Sequence, residues 1–457
     1  MITVLKANRT DGLGRDQEGV TPADDKTLQV VEPLTLPRQY PLEEVYKVHQ
    51  VLIDTLPSVQ ITASNHDFLL NSARQVIDRL GLTYSSPERY EFAGQVVDEI
   101  IGNGPLEALL REERITDIQI IGAKKVFCEV DGVNQRVPIA FKDNEHLMRI
   151  IDRIVSAVNR RVDESSPIVD ARLADGSRVN VVLPPVSLEG PAVSIRKFGV
   201  HKIRGKELVE RKSITPWMLK FLEAAVKARI NIIVSGGTSA GKTTLLNTLC
   251  QSIPAYERLV TIEAPAELQI NHDNLVPLEV RPANLEGKGE ITQRHLLKNA
   301  LRMNPTRIII GECRDSETFD MLQAMNTGHE GSLTTVHANG PREAVNRLSS
   351  LIMQGNVGIS ELAFSRLLAS TKAIIVQAVF FNNDGSRRIT HISEITGTQG
   401  EVISMQDIFT FENKGVGPDG KTHGVFKGCK IIPECMSKIK LSGVDFEPGF
   451  FAQSMEV

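Results

Sequence analysis

The chain has 457 residues, of which 41% are hydrophobic and 24% charged, with a formal net charge of -4. At ~150 residues per domain this length fits two or three domains, and the near-neutral charge balance argues against a nucleic-acid translocase with a strongly basic footprint. The longest apolar runs, such as 373–381 interrupted by Gln377, fall short of the ~18 residues a membrane span needs.

The first residues, 1–38, are rich in Asp and Gly, lack periodicity and an apolar signal core, and are expected to form a disordered arm, with order beginning near Pro41. Helical spacing of Val45, Val48, Val51 and Leu52, and again of Phe92, Val96, Val97, Ile100 and Ile101, predicts a small helical unit over 39–110. The Gly102-Asn103-Gly104-Pro105 run breaks it. Residues 111–198 alternate strand-like pieces (118–121, 126–130, two around the Asp175-Gly176 turn, 193–196) with a helix over 145–160, which reads as an α+β domain. The charged stretch 199–213, with Lys202, Arg204 and Lys206, is the expected linker, its basic residues solvated. From 214 to 457 strands and helices alternate as in a parallel α/β fold, with a β-hairpin appended at 380–395. The five cysteines (Cys128, Cys250, Cys313, Cys429, Cys435) are scattered without a C-x-x-C pair, as in a reduced cytosolic protein. His423, Cys429 and Cys435 match no zinc spacing.

The most specific feature is Gly236-Gly237-Thr238-Ser239-Ala240-Gly241-Lys242-Thr243, followed by Thr244. It follows the β-branched run Ile230-Asn231-Ile232-Ile233-Val234 and opens onto a helix-like stretch, which is the setting of a Walker A phosphate loop. In such a loop the backbone amides curl around phosphate oxygens, Lys242 reaches the β- and γ-phosphates, and the Thr243 hydroxyl ligates Mg²⁺. Downstream, two apolar strands end in carboxylates, Leu259-Val260-Thr261-Ile262-Glu263 and Arg307-Ile308-Ile309-Ile310-Gly311-Glu312. The second is a Walker B arrangement with glycine where many such enzymes have aspartate. A third strand delivers His337. Polar groups at the carboxyl ends of strands in one open sheet converge on a ligand crevice. Taken alone, a strand-end glutamate can equally cap the next turn, and a lone histidine such as His337 or His329 is as often structural as functional.

Together with the motifs Thr261-Ile262-Glu263-Ala264-Pro265-Ala266-Glu267-Leu268, Arg281-Pro282-Ala283-Asn284-Leu285-Glu286-Gly287-Lys288-Gly289-Glu290, Ala300-Leu301-Arg302-Met303, Gly311-Glu312-Cys313-Arg314 and Met325-Asn326-Thr327-Gly328-His329-Glu330-Gly331-Ser332 through His337-Ala338-Asn339, the chain closely resembles the secretion ATPase superfamily. Within it the chain looks most like the CpaF/TadA branch, the motors of tight-adherence (Flp-type) pili. Similarity extends through Gly104-Pro105-Leu106, Asp175 to Asn180 and Ser194 to Phe198, so it spans residues ~95–410. The resemblance implies an α/β protein with a RecA-like ATPase domain behind a PAS-like α+β domain, binding ATP and Mg²⁺ and assembled as a homo-hexamer. It implies Glu263 and Glu312 as catalytic carboxylates, His337 as a phosphate or interface sensor, and Arg178 and Arg196 as cations offered by the first domain. Arg302 and Arg307 are further candidates for contacts across subunits. Ala264 stands where the family's Asp-box carries an acid.

The expectation is therefore a cytoplasmic ATPase, peripheral at the inner face of the cytoplasmic membrane through inner-membrane platform proteins, powering a pilus without contact to nucleic acid. Rivals are a type II or type IV secretion or conjugation motor, a nucleotide-gated scaffold with little turnover, and a nucleic-acid translocase.

Overall fold

The computed structural model describes residues 34–130, 133–199, 203–283, 287–355 and 357–457. Most of the expected disordered arm, residues 1–33, lies outside the described residues, as do Lys202 and positions 284–286. Just before Pro41, Tyr40 is buried against Tyr84 and Phe92, while Leu34 and Leu36 lean, partly buried, on the core of the sheet described below.

Three helices follow, α1 (Leu42–Thr55), α2 (His66–Arg79) and α3 (Ser86–Ile101), then the short α4 (Leu106–Arg111). Their apolar stripes meet in one cluster that includes Val48, Leu52, Leu69, Ile77, Phe92 and Val96. Ser85 starts α3 with a capping box to Glu88.

The next sheet is built from β1 (Ile115–Ile121), β2 (Lys125–Val130), β3 (Val133–Arg136), β4 (Ile168–Arg172), β5 (Arg178–Val182) and β6 (Ala192–Arg196), with α5 (Asn144–Ala157) between β3 and β4. The strand order is β3-β2-β1-β6-β5-β4 and every pairing is antiparallel. Side chains alternate faces along a strand, so Ile118, Ile120, Val179, Val181, Val193 and Ile195 share the core with α5. The opposite face is polar. On it the register sets Arg172 across from Arg178, and Arg178 across from Arg196.

The stretch 199–213 is not a bare linker. It contains α6 (Gly205–Glu210), whose Leu208 and Val209 pack on the core of the following domain. After α7 (Pro216–Lys227) come β7 (Ile232–Gly236), α8 (Lys242–Cys250), β8 (Leu259–Glu263), β9 (Leu275–Glu279), α9 (Gln293–Ala300), β10 (Arg307–Ile310), α10 (Glu317–Asn326) and β11 (Leu333–His337). Then follow α11 (Pro341–Gln354), α12 (Glu361–Ser370), β12 (Ile374–Phe380), β13 (Arg387–Gln399), β14 (Val402–Val416), β15 (Thr422–Gly428), α13 (Met436–Leu441) and β16 (Ser454–Glu456).

The strands form one ten-stranded sheet in the order β16-β15-β14-β13-β12-β7-β11-β10-β8-β9. From β12 to β9 it is parallel and from β12 to β16 antiparallel. The parallel part is the expected RecA-like core. Its strands are apolar on both faces because helices cover both, and along β7 Ile232 and Val234 enter one cluster while Ile233 enters the other. The hairpin read from the sequence thus continues into three further strands, sealed by packed rings of Phe221, Phe409, Phe450 and Phe451. No helix of the described residues is long and apolar enough to cross a membrane.

Arg307, expected as a candidate for contacts across subunits, is instead a core residue. Its side chain is 0% exposed, bonds both oxygens of Glu257 at 2.6 and 2.7 Å, and donates to the Val226 and Gly331 carbonyls. It starts a fully buried strand, so no neighbouring molecule reaches it. Burial pushes Glu257 up, but the Arg307 bonds outweigh that and leave its carboxyl below the ordinary value. Arg302, by contrast, is exposed. Removing one partner of a buried pair strands the other charge, so Arg307→Ala should cost roughly 3–5 kcal/mol of unfolding free energy, read from urea denaturation. A loss below about 1 kcal/mol would mean that Glu257 finds another partner or takes up a proton.

Candidate functional site

The apolar strand β7 ends inside the glycine-rich loop, and two features shape the loop beyond it. At Gly236 a Cβ would lie 2.7 Å from the Ala378 carbonyl, so the two backbones approach as only glycine permits. Gly241 sits at φ 88, a left-handed conformation, and is the N-cap of α8 without any side-chain cap. The first backbone bond of α8 runs from the Leu245 amide to the Gly241 carbonyl. Ahead of it, the amides of Ser239, Ala240, Gly241, Lys242, Thr243 and Thr244 find no backbone acceptor among the described residues. Uncapped amides at a helix N-terminus form a ready anion site.

Lys242 is nearly buried, and its ammonium donates to the Gly237 carbonyl at 2.8 Å. Its Nζ lies 3.4 Å from Nε2 of His337, which in turn lies 3.2 Å from Oε1 of Glu312. Three separated strand ends therefore meet at one point. Burial pushes the Lys242 ammonium down, with the Glu312 charge opposing. Burial and then Lys242 hold His337 below its ordinary value, so the ring is neutral near pH 7. A neutral ring presents one donor and one acceptor nitrogen, so its Nε2 serves either the ammonium or the carboxylate, not both at once. The other oxygen of Glu312 is held by Arg314, at 2.5 and 2.7 Å. Arg314 belongs to a motif quoted above, but only the fold shows it clamping Glu312.

Glu263 takes a different position. It is buried, and its Oε1 accepts from the amides of Glu267 and Leu268, both at 2.9 Å, so it caps the turn that follows β8. No bond joins it to Lys242, His337 or Glu312 among the described residues. A Cβ on Gly311 would lie 3.1 Å from Cγ of Glu263. β8 and β10 pair in parallel, so a side chain at 311 would press on Glu263, which would have to shift by a few tenths of an ångström to admit it. Burial raises the Glu263 carboxyl above its ordinary value and the two amides pull it only part of the way back. Ala264 offers its carbonyl to Arg314 at 3.5 Å.

The open face of the first sheet meets the loop across a crevice of about 210 Å³, lined by Thr243 and Thr244 on one side and Arg172, Arg178 and Arg196 on the other. Arg172 escaped the sequence reading. Each guanidinium is held by its own carboxylate: Arg172 by Glu279 at 3.0 Å, Arg178 by Asp170 at 3.5 Å and Arg196 by Asp117 at 3.0 Å. Like charges directly opposite one another on a sheet are destabilising. The three paired carboxylates offset that repulsion on the face turned to the loop. His329 precedes β11, at the end of the sheet opposite His337, and does not join the site.

The donor set fits a nucleoside triphosphate, with uncapped amides, Lys242 and the arginine row for its phosphates. For a divalent cation the loop offers an oxygen donor, the Thr243 hydroxyl, of the kind a hard ion such as Mg²⁺ takes.

Comparison with known proteins shows what the whole chain is similar to. A family model described as "Type II/IV secretion system protein" matches residues 99–434. A Mycobacterium tuberculosis (strain ATCC 25618 / H37Rv) protein provisionally named a conjugal transfer protein is 36% identical over 313 residues, 67% of this chain and 88% of the relative. The type IV secretion system protein VirB11 of Brucella abortus (biovar 1, strain 9-941) is 31% identical over 319 residues, 64% of this chain and 87% of the relative. Among solved structures, the pilus retraction motor PilT with bound ADP is similar at 19% identity and a TM-score of 0.48, covering 64% of this chain and 82% of that one.

Two measurements probe the site itself. Because the Lys242 charge helps hold His337 down, Lys242→Met should raise the His337 pKa, seen as a shift of its imidazole resonances in an NMR titration. An unchanged titration would place the two groups apart in solution. A carboxyl raised on folding keeps its proton at pH values where the unfolded chain has lost it, so its contribution to stability is present at low pH and declines as pH rises between the unfolded and folded values. Glu263→Gln should flatten that decline in pH-dependent thermal melts while keeping both amide bonds. A melting profile as steep as the wild type's would assign the pH dependence elsewhere.

Proposed function

Since the chain belongs to the type II/IV secretion system protein family, we propose that it is a Mg²⁺-dependent motor ATPase that powers a tight-adherence (Flp-type) pilus. It works as a cytoplasmic homo-hexamer docked on inner-membrane platform proteins. The observation that carries ATP hydrolysis is the convergence of Lys242, His337 and Glu312 beneath an uncapped helix N-terminus. Lys242 and the loop amides hold the phosphates. Glu312 takes the proton of the attacking water, and His337, whose Nε2 faces both Lys242 and Glu312, senses which of them is engaged. The Thr243 hydroxyl would help hold a Mg²⁺ ion, which would supply neutralisation of the charge developing on the phosphates. Glu263 orders the turn beside Gly311 and keeps its second oxygen for metal or water. Arg172, Arg178 and Arg196 exchange their carboxylates for phosphate oxygens, which ties nucleotide state to the spacing of the two domains. Arg302, exposed, remains a candidate for contact with a neighbouring subunit.

A second reading has specific support. The curated relatives carry conjugal-transfer and type IV secretion names, which favours a secretion or conjugation motor built on the same chemistry. Affinity isolation from native membranes separates the two: a pilus platform protein supports the first, a secretion-channel component the second.

Lys242→Ala should abolish turnover without loss of fold. Glu312→Gln should bind ATP yet hydrolyse it roughly 10²–10⁴ more slowly, the usual worth of a general base. Near-wild-type steady-state hydrolysis by the Lys242 variant would remove the foundation of the proposal, and wild-type protein that binds ATP without turnover would favour a nucleotide-gated scaffold. Arg178→Ala and Arg196→Ala should depress turnover more than nucleotide affinity, because a cation acting on the γ-phosphate is worth most in the transition state.

A further inference from the structure

The phosphate loop is gripped from outside by a residue far along the chain. Arg387 opens β13, directly after the turn that follows β12, and its Nε donates to the carbonyl of Ser239 at 2.8 Å, across 148 residues of sequence. Its Cδ lies 3.5 Å from where a Cβ on Gly241 would sit, so the side chain lies along the loop. Its guanidinium carbon stacks 4.9 Å from the centre of the Phe380 ring. Among the described residues no carboxylate lies within ion-pair distance of it. Burial pushes this guanidinium below its ordinary value, with the distant Glu129 charge opposing. A half-buried cation without a counter-ion is costly unless something on its neighbour repays it.

We propose that Arg387 is the positioning residue of the phosphate loop, setting the Ser239-Ala240 peptide so that its amide faces the phosphates. This rests on the nucleotide-binding function proposed above. A peptide unit is planar and trans, so its C=O and N–H point in opposite directions. Fixing the Ser239 carbonyl outward on Arg387 therefore turns the Ala240 N–H inward. Ser239 itself sits at φ 59, a conformation that a non-glycine residue adopts only when its surroundings impose it. The guanidinium also polarises the peptide it holds, which strengthens the amide as a donor. Through β13 the grip links the antiparallel extension of the sheet to nucleotide binding.

The test measures Kd for Mg-ADP and Mg-ATP, by calorimetry on the full chain, for wild type, Lys242→Ala, Arg387→Met and Arg387→Lys, with melting temperatures taken with and without nucleotide. Methionine keeps the stack on Phe380 and loses the donor. Loss of a charge-assisted hydrogen bond should weaken both nucleotides about tenfold in Arg387→Met. The melting temperature without nucleotide should stay near wild type, while the rise on adding nucleotide shrinks. Arg387→Lys, which keeps a charged donor, should recover to within about threefold of wild type. A wild-type Kd in Arg387→Met, or a loss that lysine does not reduce, overturns the proposal. Should the methionine variant fail to fold, Arg387→Leu, which also lacks a donor, replaces it, and a leucine variant that binds as tightly as the lysine variant overturns the proposal equally. Wild-type protein that binds no nucleotide would instead refute the proposed function, and Lys242→Ala marks that floor in the same experiment.

Discussion

Three guanidiniums in register on one sheet face, set against the uncapped start of a helix, form the electrostatic constraint on which the site depends. Left to themselves, Arg172, Arg178 and Arg196 repel one another. Each is quieted by a different carboxylate, and Glu279, the partner of Arg172, comes from the edge strand of the opposite domain. The two sheets are thus linked at their crevice by an ion pair and by the bond from Arg172 to the Ala266 carbonyl. A polyphosphate offers the same arginines more negative charge than any one of their present partners. On the proposed function, nucleotide binding and domain spacing are then two aspects of one competition for cations.

Around that crevice the fold separates what must stay rigid from what must exchange. The parallel core is rigid: its strands are buried on both faces, and Arg307 with Glu257 satisfies the polar groups at the start of β10. Asn231 does similar work at the start of β7, bonding the Met325 and Thr371 carbonyls and the Gly331 amide. These contacts lie at the end of the sheet away from the phosphate loop. At the other end the groups are short of permanent partners, as with the loop amides, or share them, as with His337 between Lys242 and Glu312. The fully paired buried polar groups lie at the starts of these strands and the candidate site at their carboxyl ends.

Much of this was legible in the sequence because it is local. The phosphate loop is contiguous, its flanking strand and helix are contiguous, and each strand ending in Glu263, Glu312 or His337 announces itself by an apolar run. What escaped depends on register and distance. Arg172 becomes visible only when the hairpin about Asp175-Gly176 is closed, which sets position 172 across from 178. Arg307 misled because an arginine opening an apolar strand resembles an extended motif, while its partner Glu257 lies 50 residues away. That Glu263 lies against Gly311 becomes visible only when β8 and β10 pair. The strands after 400 carry irregular alternation broken by register shifts, so period-two patterning did not declare them.

On the proposed function, one nucleotide is held from both sides of this crevice, by the loop and by the arginine row. A structure of the full chain with Mg²⁺ and a non-hydrolysable ATP analogue tests it most directly. The expected result is a triphosphate seated on the amides between Gly237 and Thr244, with at least one of Arg172, Arg178 and Arg196 bonded to the γ-phosphate and released from its carboxylate. A triphosphate bound on the loop with all three arginine-carboxylate pairs intact would contradict it.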